Sequence, residues 1–153
     1  MTAIPREAWH EAVMAEVTGG FTFPDLLTGI DRGDGVEVLL RIVDPATAVA
    51  RVLSTVVPDA DPHLASVADL LPGAAWHERE TAEMFGVVFD GHPSPGPLLL
   101  RDAPALPPLR TSTPLPERLA QPWPGTVVAE PGRRARRRSL PPGVRESWVE
   151  ADA

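Results

Sequence analysis

Apolar positions along the chain change their period several times, and each change marks an element. Between Ile4 and Val17 they recur every four residues, at Trp9, Val13 and Val17 with Ala12 beside them, which is one stripe of a helix. Pro5 suits the first helical position, where its missing N–H costs nothing, and Gly19-Gly20 supply the stop. Phe21 to Ile30 is short and mixed and reads as a strand edge followed by a turn. Asp31-Arg32-Gly33-Asp34-Gly35 is turn chemistry, and the next stretch, VEVLLRIV from Val36 to Val43, is β-branched and half alternating, as a strand is. Asp44-Pro45 breaks it. Thr47 to Val57 fits two templates. Val49, Val52, Leu53 and Val56 suit one helical face, whereas the density of β-branched residues after a turn suits the second strand of a hairpin, the preferred reading.

Pro58 to Pro62 is a loop. Leu64 to Leu71 reads as a short helix stopped by Pro72-Gly73. Ala74 to Phe85 is a second helical run with Gly86 at its C′ position, Val87 to Phe89 is a brief strand, and Asp90-Gly91-His92-Pro93 turns the chain. Beyond Pro93 the proline spacing forbids long helices and central strands. That segment is predicted to be extended, with Leu98-Leu99-Leu100 and Pro122-Trp123-Pro124 as apolar anchors. An extended tail with anchors suits a surface on which it lies; the alternative is a solvated disordered tail.

Charge divides the chain at the same point. Residues 1–92 carry 15 acidic and 5 basic side chains, a net of −10, and residues 93–153 carry 6 acidic and 9 basic, a net of +3. Six prolines fall before the boundary and 13 after it. The expected organisation is therefore a core domain over 1–92 and a Pro/Arg-rich tail over 93–153. With 153 residues and 43% apolar side chains, but only four Phe, four Trp and no Tyr, the core is aliphatic and modest. Cysteine is absent, which excludes disulfides, thiolate zinc sites, Cys-ligated iron–sulfur clusters and a Cys nucleophile in this chain. No apolar run approaches the roughly 18 residues that span a bilayer, and no secretory h-region opens the chain, so work at a membrane would pass through a partner.

The densest chemistry lies in WHERETAEMFGVVFDGHP, residues 76–93. His77-Glu78 begins like HExxH, but Thr81 stands where the second histidine ligand belongs, so no metal site is expected. Among the carboxylates, Glu80 and Glu83 lie fairly close on a helix while Glu78 points away, and Arg79 sits four residues before Glu83, suited to an ion pair along the helix with the other acids solvated. No nucleophile accompanies them, so no catalytic residues are assigned. His10 and His63 are isolated and read as surface residues. Gly33-x-Gly35 sits in a hairpin-type turn with no helix after it, unlike a phosphate loop. The Arg133–Arg138 run resembles a nucleic-acid patch, but the chain is acidic overall and no aromatics interleave, so docking onto an acidic protein surface fits it at least as well, and no nucleic acid is expected among the partners.

Taken whole, Trp76-x-Glu78-Arg79-Glu80-x-x-Glu83-Met84-Phe85-Gly86, an apolar triplet ending at Phe89, and Gly91-His92-Pro93 resemble the signature of the complex I 30 kDa subunit family, the C subunit of bacterial NADH–quinone oxidoreductase. Ser66-Val67 and Leu70-Leu71-Pro72-Gly73-Ala74 upstream, with Leu98-Leu99-Leu100 and Pro108-Leu109-Arg110 downstream, extend the resemblance over about residues 20–125. This chain departs from the family pattern at Glu83, usually Asp; at Ser94-Pro95-Gly96-Pro97, usually containing arginines; and at Thr111, usually Lys.

The resemblance implies an α/β (α+β) fold: a small antiparallel sheet with helices packed on one side, then an extended Pro-rich C-terminal tail. It implies a non-catalytic structural subunit of the peripheral arm, supporting electron transfer from NADH to quinone, on the cytoplasmic side of the membrane. Its partners would be the D subunit, the hydrogenase-like large subunit against which it packs, and the nearby B subunit. It would bind no cofactor, with NADH, FMN, iron–sulfur clusters and quinone held on other subunits. Arg79 and Glu80 are expected in an ion-pair and hydrogen-bond network that fixes the signature helix, Gly86 ends it, and Gly91, His92 and Pro93 redirect the chain. Two other readings stand beside it: the equivalent subunit of a membrane-bound hydrogenase or other quinone-reducing complex, and a stand-alone hydrolase using His92 with Glu80.

Overall fold

The computed structural model of the chain describes residues 1–100 and 106–115. It is an α+β fold built on a four-stranded sheet: β1 (Thr2–Ala3), β2 (Phe23–Asp31), β3 (Gly35–Val43) and β4 (Ala50–Pro58), in spatial order β1-β4-β3-β2. The β2–β3–β4 meander is antiparallel, while the two-residue β1 lies parallel to β4, so the sheet is mixed rather than wholly antiparallel. A 3-10 turn at Arg6–Ala8 leads into α1 (Trp9–Thr18); α2 (Ala74–Phe85) follows later. A second, parallel pair joins β5 (His63–Ala65) to β6 (Val88–Asp90). The preferred hairpin at Thr47–Val57 is present, and the register sets Val38 opposite Thr55 and Leu40 opposite Leu53.

Period-2 alternation explains the sheet's two faces. Val36, Val38, Leu40 and Ile42 of β3 point inward with Leu27, Leu53 and Val57, and they bury against Trp9 and Val13 of α1, Ala74 of α2, Leu64 of β5 and Phe89 of β6. Glu16 of α1 reaches Arg51, which stands opposite Ile42 in the register, and the Phe85 ring of α2 lies over Gly29 of β2, so both helices cover the same face. That approach requires glycine: a Cβ at position 29 would stand 2.8 Å from the Phe85 ring and 2.9 Å from Val36. The outward face carries Leu26 and Val56, both exposed, between the Arg41–Asp25 and Arg32–Glu37 pairs.

Two sequence expectations fail here. Phe21–Ile30 does not end early in a turn; β2 continues to Asp31 because Leu27 and Gly29 face the core while a bulge between Pro24 and Leu26 absorbs the proline on an edge strand. Leu64–Leu71 is not a helix. His63–Ala65 is a strand, with Leu64 paired to Phe89, and a turn at Ala68–Leu70 follows. Three strand residues are too few for a period of 2 to show against one of 3.6. The compact unit continues past Pro93 and runs from Met1 to Leu115. The anchor at Trp123 and the Arg133–Arg138 run lie outside the described residues.

Candidate functional site

The signature residues are distributed around α2. This helix begins after Pro72-Gly73 and ends where Gly86 adopts a left-handed backbone, φ +80°, with its N–H on the Ala82 carbonyl. A Cβ there would also meet the Pro107 ring at 2.8 Å, so Gly86 both stops the helix and lets the later chain return against it.

Glu78 does not point into solvent. It is fully buried, accepting the Ser66 hydroxyl at 2.6 Å on one oxygen and the Val67 N–H at 2.7 Å on the other. Burial raises its pKa above the usual 4.5, the two hydrogen bonds oppose the rise, and the charge of Asp69 adds to it. The His92 side chain is buried beside it, with Nε2 3.8 Å from the carboxylate. Nδ1 accepts the Ser94 N–H at 3.0 Å, so the ring hydrogen is on Nε2, which donates to the Ala75 carbonyl at 2.9 Å. Both nitrogens are thus spent on backbone, tying the turn after Gly91 to the first turn of α2. Ser66, Glu78 and His92 lie close together, yet Ser66 donates to the carboxylate and has no imidazole acceptor. The hydrolase reading fails on the same geometry, because Glu80 is exposed on α2 and His92 has no free nitrogen.

Arg79 and Glu83 are not paired with each other by a hydrogen bond. Arg79 Nε donates to the Gly96 carbonyl at 2.9 Å and its Nη2 to the Pro97 carbonyl. Glu83 accepts the Leu99 N–H at 2.7 Å and the Leu100 N–H at 2.8 Å, one on each oxygen. The i, i+4 spacing therefore lines up a cation and an anion along α2, and the pair grips a bent stretch of backbone, residues 96–100, by its carbonyls and its amides. The Leu99 and Leu100 amides lead in holding the Glu83 pKa below its usual range, with the Leu98 amide and the Arg79 charge adding. Glu80 takes no hydrogen bond among the described residues, so the expected Arg79–Glu80 network is absent there. The Arg79 guanidinium also lies 5.7 Å from the centroid of the Trp76 ring, and Trp76 is 65% exposed.

The downstream motif returns to the same helix end. The Leu109 N–H bonds the Met84 carbonyl at 3.0 Å. Arg110 is buried, with Asp59 at 2.5 Å and Asp31 at 3.5 Å. Asp31 also accepts the Thr111 hydroxyl, the Thr111 N–H and the Gly33 N–H, and these bonds, with the Arg110 charge behind them, lower its pKa to about 2. Phe85 and Phe89 serve the core, Gly91 and Pro93 lie on the exposed turn, and Leu109 is exposed. Sequence reasoning missed Ser66, Asp31 and Asp59 as partners, since their roles depend on contacts 12 to 80 residues away. Nor are His10 and His63 isolated: they meet Asp69 at 3.0 Å and Asp90 at 2.9 Å on the surface.

Residues 2–119 match the family described as respiratory-chain NADH dehydrogenase, 30 kDa subunit. Similar proteins include the C subunit of the NADH-quinone oxidoreductase of Nocardioides sp., 52% identical over 50 residues, covering 33% of this chain and 20% of that protein. The corresponding C subunit of Herpetosiphon aurantiacus is 40% identical over 76 residues, 48% of this chain and 44% of that one. The chain thus matches less than half the length of either relative. Among solved structures, the trypsin-resistant fragment (1-134) of Nqo5 is similar with a TM-score of 0.57 at 31% identity, over 60% of this chain and 79% of that one. A chain of the membrane-bound sulfane sulfur reductase, an archaeal respiratory membrane complex, shares the fold with a TM-score of 0.65 at 20% identity, over 71% and 67%.

Proposed function

The chain belongs to the family of the 30 kDa subunit of respiratory-chain NADH dehydrogenase, and from that premise we propose that it is a non-catalytic structural subunit of the peripheral arm of a complex I-like NADH–quinone oxidoreductase. The observation that carries the reading is where the signature's charges go. Glu78, Arg79, Glu83, His92 and Arg110 are spent on groups of this same chain, mostly backbone, and the large apolar side chains left outward are Trp76, Leu99 and Leu109, 56–65% exposed, beside the exposed Glu80. A site that spends most of its charged groups on its own chain and presents large apolar ones outward suits assembly rather than turnover.

In this reading the chain packs against the hydrogenase-like large subunit, D, and lies near the B subunit, on the cytoplasmic side. NADH, FMN, iron–sulfur clusters and quinone are held by other subunits. No helix among the described residues is long and apolar enough to cross a membrane, which is in keeping with attachment through partners. Affinity purification of the tagged full chain from its own membranes, with the co-purifying polypeptides identified, tests this. Recovery of NADH-binding and iron–sulfur subunits is expected. A catalytically active monomer recovered alone would overturn it.

A second reading, the equivalent subunit of a membrane-bound hydrogenase or other quinone-reducing complex, draws on the departures at Ser94–Pro97 and Thr111 from the family's basic residues. The same purification separates the two: a nickel-site large subunit without NADH-binding subunits would favour the second.

A further inference from the structure

Among the described residues, β2 ends the sheet with no strand on its outer side: the order β1-β4-β3-β2 leaves β3 as its one neighbour. No backbone N–H or C=O of residues 23–31 bonds a backbone group outside that pairing among the described residues. Edge strands are ordinarily blunted by proline, by bulges or by charged side chains. Pro24 and the bulge at Asp25 blunt the beginning of this one, and Thr111 seals its end by bonding the Asp31 carboxylate. Between them LLTGI, residues 26–30, has neither proline nor charge, and Leu26 is 43% exposed. A row of alternate free N–H and C=O groups is matched by one kind of partner, another extended backbone.

The helix above narrows the choice. α2 meets Pro24 at Gly73 and Gly29 at Phe85, so it runs the length of β2 and packs on that strand more than on any other. A helix about 10–12 Å wide, on an edge strand about 4.8 Å from its neighbour, overhangs the edge. Arg79 and Ala82 face β6 and the gripped segment. The opposite side of α2, the Gly73–His77–Met84 stripe with Glu80 beside it, is therefore the side that overhangs. His77 and Glu80 there make no hydrogen bond or ion pair among the described residues, whereas Arg79 and Glu83 across the helix are spent. A second copy laid antiparallel through its own β2 would bring its own α2, setting two helices over strands about 4.8 Å apart where packed axes need about 8–10 Å. A partner helix has its backbone groups already paired. What fits is a single extended segment with no helix of its own on the α2 side, and the unpaired Glu80 at the lip calls for a cation on it.

We propose that the β2 edge from Leu26 to Ile30 is an assembly edge: it takes one extended strand of a neighbouring subunit, laid under the overhang of α2 and carrying an arginine or lysine toward Glu80. The proposal rests on the assembly reading above and names where on this chain, and by what kind of segment, a neighbour is held.

The test uses the tagged full chain expressed in its own host. Leu26→Lys puts a blunting charge on the edge, and Val56→Lys puts the same charge at a comparably exposed position of the outer face, on β4. Recovery of partner subunits is expected to fall by about tenfold or more with Leu26→Lys and with Glu80→Arg, and to hold with Val56→Lys and with Glu11→Arg on α1. Two further readouts need no disruptive variant. Amides within 26–30 are expected to exchange more slowly in the assembled complex than in the full chain alone. A photo-crosslinking residue at Thr28 is expected to join a neighbouring subunit within a few residues of an arginine or lysine. Equal recovery with Leu26→Lys or Glu80→Arg, equal loss with Val56→Lys, unchanged exchange at 26–30, or crosslinks confined to this chain overturn the edge while leaving the assembly reading intact. Failure of the wild-type chain to recover any respiratory subunit overturns both.

Discussion

Glu78 shows how one residue can look like chemistry and act as structure. Its carboxylate spans from α2 to the chain after β5, and replacing it with Ala orphans the Val67 N–H and takes the acceptor from the Ser66 hydroxyl. Each orphaned group costs about 1–3 kcal/mol, and in a compact unit running from Met1 to Leu115 each kcal/mol corresponds to roughly 4 °C in Tm. Thermal unfolding of Glu78→Ala is therefore expected well below the wild type. The conservative change behaves differently with pH. Since the folded carboxyl has a pKa raised above 4.5, it contributes stability that is full below the unfolded value and is lost as pH rises through the folded one. Gln does not ionise, so the Tm of Glu78→Gln relative to wild type should climb from about pH 4 towards pH 7; a flat difference would count against burial as the cause. The sequence marks Glu78 as part of a motif, and helical spacing alone puts it on the wrong side of the helix. Burial of a charged side chain is decided by partners such as Ser66, twelve residues upstream, and no periodicity carries that information.

Elements are more legible than side-chain pairings, and the reason is physical. Pro72-Gly73 and Gly86 bracket α2, and VEVLLRIV carries its period openly, because backbone constraints and burial act within a few residues. The three-residue β5 is lost for want of length. At this scale the packing of α2 can be tested from both ends. Gly29→Ala drives a Cβ into the Phe85 ring and Val36 and should cost about 1–3 kcal/mol by denaturant unfolding. Gly86→Ala adds a left-handed penalty of about 1–2 kcal/mol to a clash with Pro107, so it should also loosen the segment that returns to Met84. The grip of α2 on 96–100 calls for a local readout. Arg79→Met and Glu83→Gln are expected to leave Tm nearly unchanged, since these side chains are partly exposed. They should speed amide exchange at Leu99 and Leu100, and protease cutting after Pro93, by about tenfold or more. Unchanged exchange at those two amides would show that the grip is not maintained in solution.

For the molecule as a whole, the fold family is legible because its signature is long, gapped and held at fixed offsets, and the family match over residues 2–119 agrees with it. The composition change at Pro93 is legible too, but it does not coincide with the edge of the compact unit, which reaches Leu115 through Leu109, Arg110 and Thr111. Proline density reports what backbone a segment can adopt; it does not report whether that backbone is held. A chain ending after Leu115 should therefore keep the cooperative unfolding of the core, measured by circular dichroism. If the proposed role of the tail is right, it should recover fewer partner subunits from membranes than the full chain does. Full recovery would shift the burden of assembly onto the core.

The hold of Arg79 and Glu83 on main-chain atoms also sets a substitution rule for the segment they grip. Two carbonyls, at Gly96 and Pro97, and two N–H groups, at Leu99 and Leu100, make its hydrogen bonds, with the Leu98 N–H adding to the hold on the Glu83 charge. Proline retains a carbonyl and lacks an N–H. The run PSPGPLLL from Pro93 obeys this, with prolines at 93, 95 and 97 and none at 99 or 100. Side chains from 93 to 97 can then drift, arginines included, without touching the grip, while a single proline at 99 or 100 removes one of the two hydrogen bonds that Glu83 accepts. The segment inherits its path through its amides, and its surface chemistry is free to follow whichever partner it meets.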